Sequence, residues 1–199
     1  TFDSNLWKQM MSYGSPILLA GIAFAINEVV DKILLGLILP EGIAKAEVGA
    51  YAACYKLALF MTLFATAFRM GIEPFFFSHA SEKNSGATYA LITKYFVIFG
   101  AAILLLVIVF SDLLKLLIIQ DKSYWEAMVV VPMILLANFF LGIYHNLSVW
   151  YKVSDRTRFA AYISGVGAVL TLALNFLLIP YYSYVGSAIA TLAAYGLSL

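Results

Sequence analysis

The sequence predicts an all-α membrane protein of six transmembrane helices, on three observations. Hydrophobic residues make up 63% of the 199 and charged residues only 12%, with a mean hydropathy of +0.93, far outside the range of soluble domains. Apolar stretches of bilayer-spanning length recur between short polar breaks. The few charges inside those stretches fall at helical spacing on single faces. Two histidines and one cysteine cannot by themselves build a metal site or an internal disulfide, and no cofactor is expected. A formal net charge of +1 invites no nucleic acid. The chain starts at Thr1 without a signal-peptide pattern and is read as a piece of a longer polypeptide.

The first span is expected over 16–39, with Ser15 as the cap and Pro16 in the first turn, where its missing donor costs nothing. Its middle carries Asn27, Glu28, Asp31 and Lys32 on one face. Glu28 and Lys32 stand in the favourable acid-first order, and Asp31 is left without a local partner. Two explanations suit this face: a self-neutralised pair with a packing asparagine, or the lining of a lumen. Pro40 and Glu41-Gly42 then break the chain.

The second span, 48–77, is apolar yet holds Lys56, Arg69 and Glu73. With Tyr55 as zero and about 100° per residue, Thr62 falls near −20°, Thr66 near +20°, Arg69 near −40° and Glu73 near 0°. Eighteen residues carry this stripe through roughly 27 Å, close to the thickness of the hydrocarbon core. Charges at such depth look into a bundle or an aqueous cavity and mark a substrate or ion path. An Arg69–Glu73 pair holding two helices in register would leave the threonines of the stripe unexplained. Lys56 lies about 100° off the stripe.

His79, Glu82 and Lys83 occupy a polar loop, the histidine read as a solvated surface residue. The third span, 90–118, has no charged or amide side chain from Tyr95 to Phe110 and is expected to be lipid-facing scaffold. Ser123 to Glu126 forms a capping box for the fourth span, 124–150, with Tyr124 and Trp125 at one membrane interface and Trp150 and Tyr151 at the other. Asn138 and His145 share a face of it, and the histidine is read as a hydrogen-bonded structural residue. The fifth span, 159–179, follows a basic loop and ends at Pro180, with Ser164, Thr171 and Asn175 on one face. The sixth is 185–199. Loops on the N-terminal side carry Lys8, Lys83, Lys94, Lys152, Arg156 and Arg158 against Lys45, Lys115 and Lys122 opposite, which places the N-terminus in the cytoplasm.

From Lys152 to Gly196 the sequence shows a basic loop, a glycine-bearing helix, Asn175, Leu178-Ile179-Pro180, a short turn, and Gly186, Ala188, Ala190 and Thr191. This pattern resembles the polysaccharide flippases of the multidrug/oligosaccharidyl-lipid/polysaccharide exporter superfamily. The stretches YGSPILLAGIAFAINEVVDKILL and AFRMGIEPFFF are similar to the first two helices of the C-terminal half of such flippases. The resemblance implies one six-helix half of a two-lobe transporter of twelve or more helices in the cytoplasmic (inner) membrane. It also implies a missing N-terminal half of the same polypeptide. The implied activity is transport, with no catalysis: export of a lipid-linked, undecaprenyl diphosphate oligosaccharide for cell-surface polysaccharide such as lipopolysaccharide O-antigen, among surrounding membrane lipids.

A diphosphate head group in a low-dielectric slab needs cations, and a guanidinium offers a planar fork of donors. Arg69 is the leading candidate for substrate binding, followed by Lys56 and Lys32. Asn27, Glu28, Asp31, Thr62, Thr66, Glu73 and Asn175 are candidates for lining the cavity; Glu28, Asp31 and Glu73 either hold the cations in place or carry a coupling proton or sodium ion. The alternative is a multidrug exporter of the same superfamily, driven by either ion. A glycan polymerase or ligase would want an arginine-rich outer loop, and the outer loops here have no arginine. A substrate-free scaffold does not account for the charged stripes.

Overall fold

The computed structural model describes residues 3–78, 85–154 and 156–199, with the side chains of Phe24, Ile26, Asn27, Phe77, Ser85, Trp150 and Val153 left aside. Every element is helical. α1 spans Ser4–Ile38, α2 Glu41–Ser78, α3 Ser85–Val109 and α4 Ser111–Ile118. A 3-10 segment, Lys122–Val130, leads into α5, Val131–Leu147. α6 is Val149–Val153 and α7 Arg158–Leu197. Among the described residues, four helices are long and apolar enough to cross a membrane: Glu41–Phe76, Gly86–Val109, Lys122–Leu147 and Arg158–Leu197.

Several bounds differ from the sequence expectation. α1 begins twelve residues before Pro16, because Asp3 caps it through Oδ1, accepting from the amides of Asn5 and Leu6 at 2.9 and 3.2 Å. Pro16 therefore lies inside the helix. α2 starts immediately after Pro40, and the third span divides at Phe110 into α3 and α4. The capping box at Ser123 is replaced by an Asp121 cap, whose Oδ1 accepts from the Ser123 amide at 2.9 Å and its hydroxyl at 2.8 Å. Those bonds hold the exposed Asp121 carboxyl below the usual carboxylate range. The loop holding His79, Glu82 and Lys83 lies outside the described residues.

α7 is long enough to cross a bilayer twice, at about 1.5 Å per residue against a core of about 30 Å. It doubles back. Ser183 adopts φ 49 and ψ −133 within the helix. Ser187 Oγ donates to Asn175 Oδ1 at 2.5 Å across twelve residues, which a straight helix would hold about 18 Å apart. At Gly186 an added Cβ would stand 2.7 Å from the Leu178 carbonyl carbon and oxygen. Glycine there allows the two arms to touch. The stretches expected as the fifth and sixth spans are thus the two arms of one hairpin, whose bend is confined to Ser183.

The core sits between α1, α2, α5 and α7, filled by Leu35, Leu57, Met61, Ile134, Leu135 and Ile179. α3 joins it through Phe96, stacked on Phe64 at 5.2 Å and on Phe139 at 6.2 Å. A Cβ at Gly142 of α5 would run into the Phe96 ring and stand 3.2 Å from Ala65 Cβ, so α5 lies hard against α2 and α3 at that level. The outer face of α3 leaves Leu105, Leu106 and Val109 exposed, as lipid contact requires.

Candidate functional site

A cavity of about 120 Å³ lies between α1, α2 and α5. α1 contributes Glu28; α2 contributes Thr62, Ala65, Thr66 and Arg69; α5 contributes Asn138, Leu141, Gly142 and His145. The α2 residues arrive together because they recur every three or four positions on one helix face. Asn138 and His145, seven apart, do the same on α5. Among the described residues Arg69 makes no hydrogen bond or ion pair. Asn138 is 3% exposed, and its Nδ2 has no acceptor among the described residues. Glu28 accepts from the Tyr195 hydroxyl of α7 at 3.3 Å.

Above this cavity, on the side toward Pro40, the α1 charges are locked into aromatic packing. Asp31 is 1% exposed and accepts the Tyr51 hydroxyl at 2.8 Å, the partner that spacing alone did not supply. Lys32 does not reach the Glu28 carboxylate. Its Nζ donates to the Glu28 carbonyl at 3.0 Å, stands 3.7 Å from Asp31 Oδ1 and caps the Tyr55 ring at 4.0 Å. Lys32 lines a second, larger groove of about 820 Å³ between α1 and α2, with Glu41 and Lys45.

Below it, Glu73 Oε1 accepts from Lys152 Nζ of α6 at 2.6 Å. The carboxylate on the α2 stripe is thus taken by a cation from the loop after α5, and it does not line the cavity. The Lys152 carbonyl accepts from Tyr13 of α1 at 3.3 Å, and Tyr144 and Tyr151 share a hydrogen bond of 2.9 Å. α1, α2, α5 and α6 are tied together at this end.

The predicted residues therefore separate. Glu28, Thr62, Thr66 and Arg69 meet at one cavity; Asp31, Lys32 and Glu73 flank it in their own pairs. Lys56 is exposed, about 100° around α2 from the stripe, and does not line the cavity. Asn175 is fully buried in the α7 hairpin, donating Nδ2 to the Thr171 carbonyl at 2.8 Å and accepting from Ser187; it ties the hairpin and does not reach the cavity. The Asn27 side chain lies outside the described residues. Asn138 and His145 are cavity residues that spacing placed on one face without revealing what that face met.

Against known proteins, a match to the family MatE covers residues 16–177. The chain belongs to the MatE family. Its members are transporters in the multidrug/oligosaccharidyl-lipid/polysaccharide exporter superfamily, and the apolar helices make this a multi-pass membrane protein. No curated protein matches. Two solved structures share the fold at 16% identity each. One is the outward-facing conformation of a multidrug resistance MATE family transporter of the MOP superfamily, with a TM-score of 0.68 over 96% of this chain and 43% of that one. The other is a MOP superfamily transporter from Pyrococcus furiosus, described as having a binding pocket of reverse polarity that suggests a different function. It has a TM-score of 0.67 over 96% of this chain and 42% of that one. The chain thus spans less than half the length of either.

Proposed function

We propose that the chain forms one lobe of an exporter that moves an amphiphilic organic compound out of the cell, driven by a proton or sodium gradient. The lobe works by rocking against a second lobe around a site at their interface. The observation that carries this reading is the cavity at bilayer depth, where α1, α2 and α5 of a MatE fold converge ionisable and amide side chains that lipid would penalise. Multidrug export is the form that the family and the solved multidrug transporter favour.

A second reading has one specific observation in its favour. Among the described residues, the acids near the cavity all have partners and the arginine has none. Arg69 thus brings to the cavity a guanidinium with no carboxylate partner, and that group suits an anionic head group such as that of a lipid-linked oligosaccharide. The reverse polarity described for the binding pocket of the Pyrococcus furiosus transporter gives a precedent for a different function on this fold. In both readings the protein lies in the cytoplasmic membrane with the N-terminus of this segment inside.

The test uses the full-length protein in cells. Gradient-dependent efflux of a cationic dye, kept or raised by Arg69→Ala, supports multidrug export. Loss of lipid-linked glycan at the outer surface on Arg69→Ala, with partial rescue by Arg69→Lys, supports flipping, because an ammonium lacks the planar fork. A protein that moves neither dye nor glycan overturns the exporter reading.

A further inference from the structure

We propose that Lys152 of α6 is a latch across the inner end of the cavity, the end away from Pro40, and that Glu73 exchanges Lys152 for Arg69 when the latch opens. It rests on the reading that the cavity belongs to the substrate path, and it names a contact that governs entry to that path from one side.

α6 lies where the walls of the cavity end. α2 and α5 run in the same direction, Tyr124 ahead of α5 meeting Gly49 and Gly142 meeting Ala65. The last residues they give to the lining are Arg69 and His145. Glu73 follows Arg69 by one turn, about 6 Å further along α2, and α6 starts at Val149, four residues after His145. Lys152 is bonded to two of the walls at once. Its Nζ donates to Glu73 Oε1 of α2 at 2.6 Å, and its carbonyl accepts from the Tyr13 hydroxyl of α1 at 3.3 Å. The neighbouring Tyr151 reaches the third wall, sharing a hydrogen bond with Tyr144 of α5. Val149 and Tyr151 are buried, so α6 is packed into this end of the lobe. Arg69, Lys152 and Glu73 all lie within electrostatic reach of His145, which puts the ion pair at the rim of the cavity.

The two ends of the lobe are held differently. Toward Pro40, Asp31 and Tyr51 are bonded at 2.8 Å and both are buried, so water has no access to replace the bond. At the inner end Lys152 and Glu73 are partly exposed, and a partly hydrated pair of this kind is weak. Lysine carries a compact, well-hydrated ammonium on a flexible stem, so Lys152 can turn out to water. The helix turn that carries it is loosely made, the Lys152 amide reaching the Ser148 carbonyl at 3.4 Å.

Glu73 has a second partner in place. Arg69 stands four residues before it, a spacing at which opposite charges meet on one helix face, and Arg69 has no hydrogen bond or ion pair among the described residues. When Lys152 leaves, the carboxylate moves one turn along α2 to the guanidinium, and neither charge is stranded at bilayer depth. The carboxylate is paired in both arrangements, as a two-state switch requires. In one, Lys152 joins α1 to α2 beneath the cavity; in the other, only the bond from Tyr13 remains and the gap between α2 and α6 is open.

The test uses the full-length transporter in inside-out membrane vesicles, in a cysteine-free background carrying Thr66→Cys in the cavity. The probe is a charged, impermeant methanethiosulfonate added from the cytoplasmic face. Lys152→Ala removes the ammonium and keeps the carbonyl that Tyr13 uses, and Glu73→Gln removes the carboxylate charge. Each should raise the labelling rate two- to fivefold, fivefold corresponding to about 1 kcal/mol. The charge-swapped double variant, Glu73→Lys with Lys152→Glu, rebuilds the latch and leaves Arg69 beside a like charge, so its rate should return to the wild-type value or below. Arg69→Gln removes the alternative partner and should slow labelling at least twofold. A parallel set keeps the buried Cys54 as its sole cysteine, and its labelling should not change in any variant. Single variants that label like wild type, a charge swap as fast as the single variants, or an Arg69→Gln rate equal to wild type overturns the proposal. So does a rise at Cys54 in step with that at Thr66→Cys, which reports loss of packing and no latch. Transport is read separately on the same proteins. The expected labelling without dye or glycan movement removes the exporter reading and keeps the latch, while movement with labelling indifferent to Lys152 does the reverse.

Discussion

Asp31 is buried and paired, whereas Arg69 is half-buried and has no hydrogen bond or ion pair among the described residues. Asp31 is closed off, with the Tyr51 hydroxyl at 2.8 Å and Lys32 close by. Removing that hydroxyl leaves a buried acceptor short of a donor, so Tyr51→Phe should destabilise the protein by about 1–3 kcal/mol. Thermal unfolding in detergent measures it. Tyr55→Phe should be close to neutral by the same measurement, because Lys32 sits on the ring face, which phenylalanine keeps. The Glu73–Lys152 pair is partly exposed, at 32% and 21%, and a double-mutant cycle there should give a coupling no larger than about 1 kcal/mol. At this scale the sequence was legible wherever one helix carried the whole pattern. The 100° period brought Thr62, Thr66 and Arg69 to one face and set Lys56 off it. It could not show that Lys152, seventy-nine residues away, would claim Glu73. Nor could it show that Asn138 would meet the same space from α5, since nothing local links two helices so far apart along the chain.

The corner of α7 concentrates the strain of the fold at the scale of the element. Ser183 holds φ 49, a conformation open to glycine and unfavourable for serine, while its hydroxyl donates to Glu47 of α2. Ser183→Ala loses the hydrogen bond and keeps the strain; Ser183→Gly loses the hydrogen bond and releases it. The glycine variant should therefore be the more stable of the two by about 1 kcal/mol or more in the same unfolding measurement. Gly186→Ala should be more damaging than either, since the added methyl meets the Leu178 backbone, which has no rotamer to move. The Asp121 cap is a pH-dependent element. Its carboxyl is held below the usual range in the folded state, so its contribution is present above the unfolded value of about 3.9 and is lost as pH falls through the folded value. The midpoint difference between wild type and Asp121→Ala should hold at neutral pH and vanish in acid. The apolar middle of α3 was a readable signal, whereas Pro180, where the fifth span was expected to end, lies inside α7, three residues before the corner at Ser183. The early starts of α1 and α2 were not readable, because the caps that set them, Asp3 and the turn at Pro40, lie where hydropathy carries no information.

For the whole molecule, the lobe has a covered wall and a presented one. α3 and α4 shield α2 and α5 from lipid, while α1 and α2 present the groove bearing Lys32, Glu41 and Lys45. The basic-loop count predicts which end faces the cytoplasm. An impermeant thiol reagent applied to intact cells should label a cysteine at Lys45 and spare one at Arg156, and the opposite pattern reverses the orientation. The fold class was legible because bilayer length and helical charge spacing constrain every segment alike. The position of the cavity was not, since it depends on how three helices pack. The α7 hairpin bears on how such a lobe is made. Thr171 bonds to Gly167, Asn175 to Thr171 and Ser187 to Asn175, so these buried polar side chains find their partners within one continuous stretch of chain. A segment whose polar groups are closed by its own neighbours can enter lipid without waiting for other helices. Its contacts are local, so it can assemble early. α1 and α2, whose charges are answered by Tyr51, Tyr195 and Lys152 from elsewhere, have to dock later. The cavity wall that α1 and α2 build is thus completed only once helices from elsewhere in the chain have packed against it.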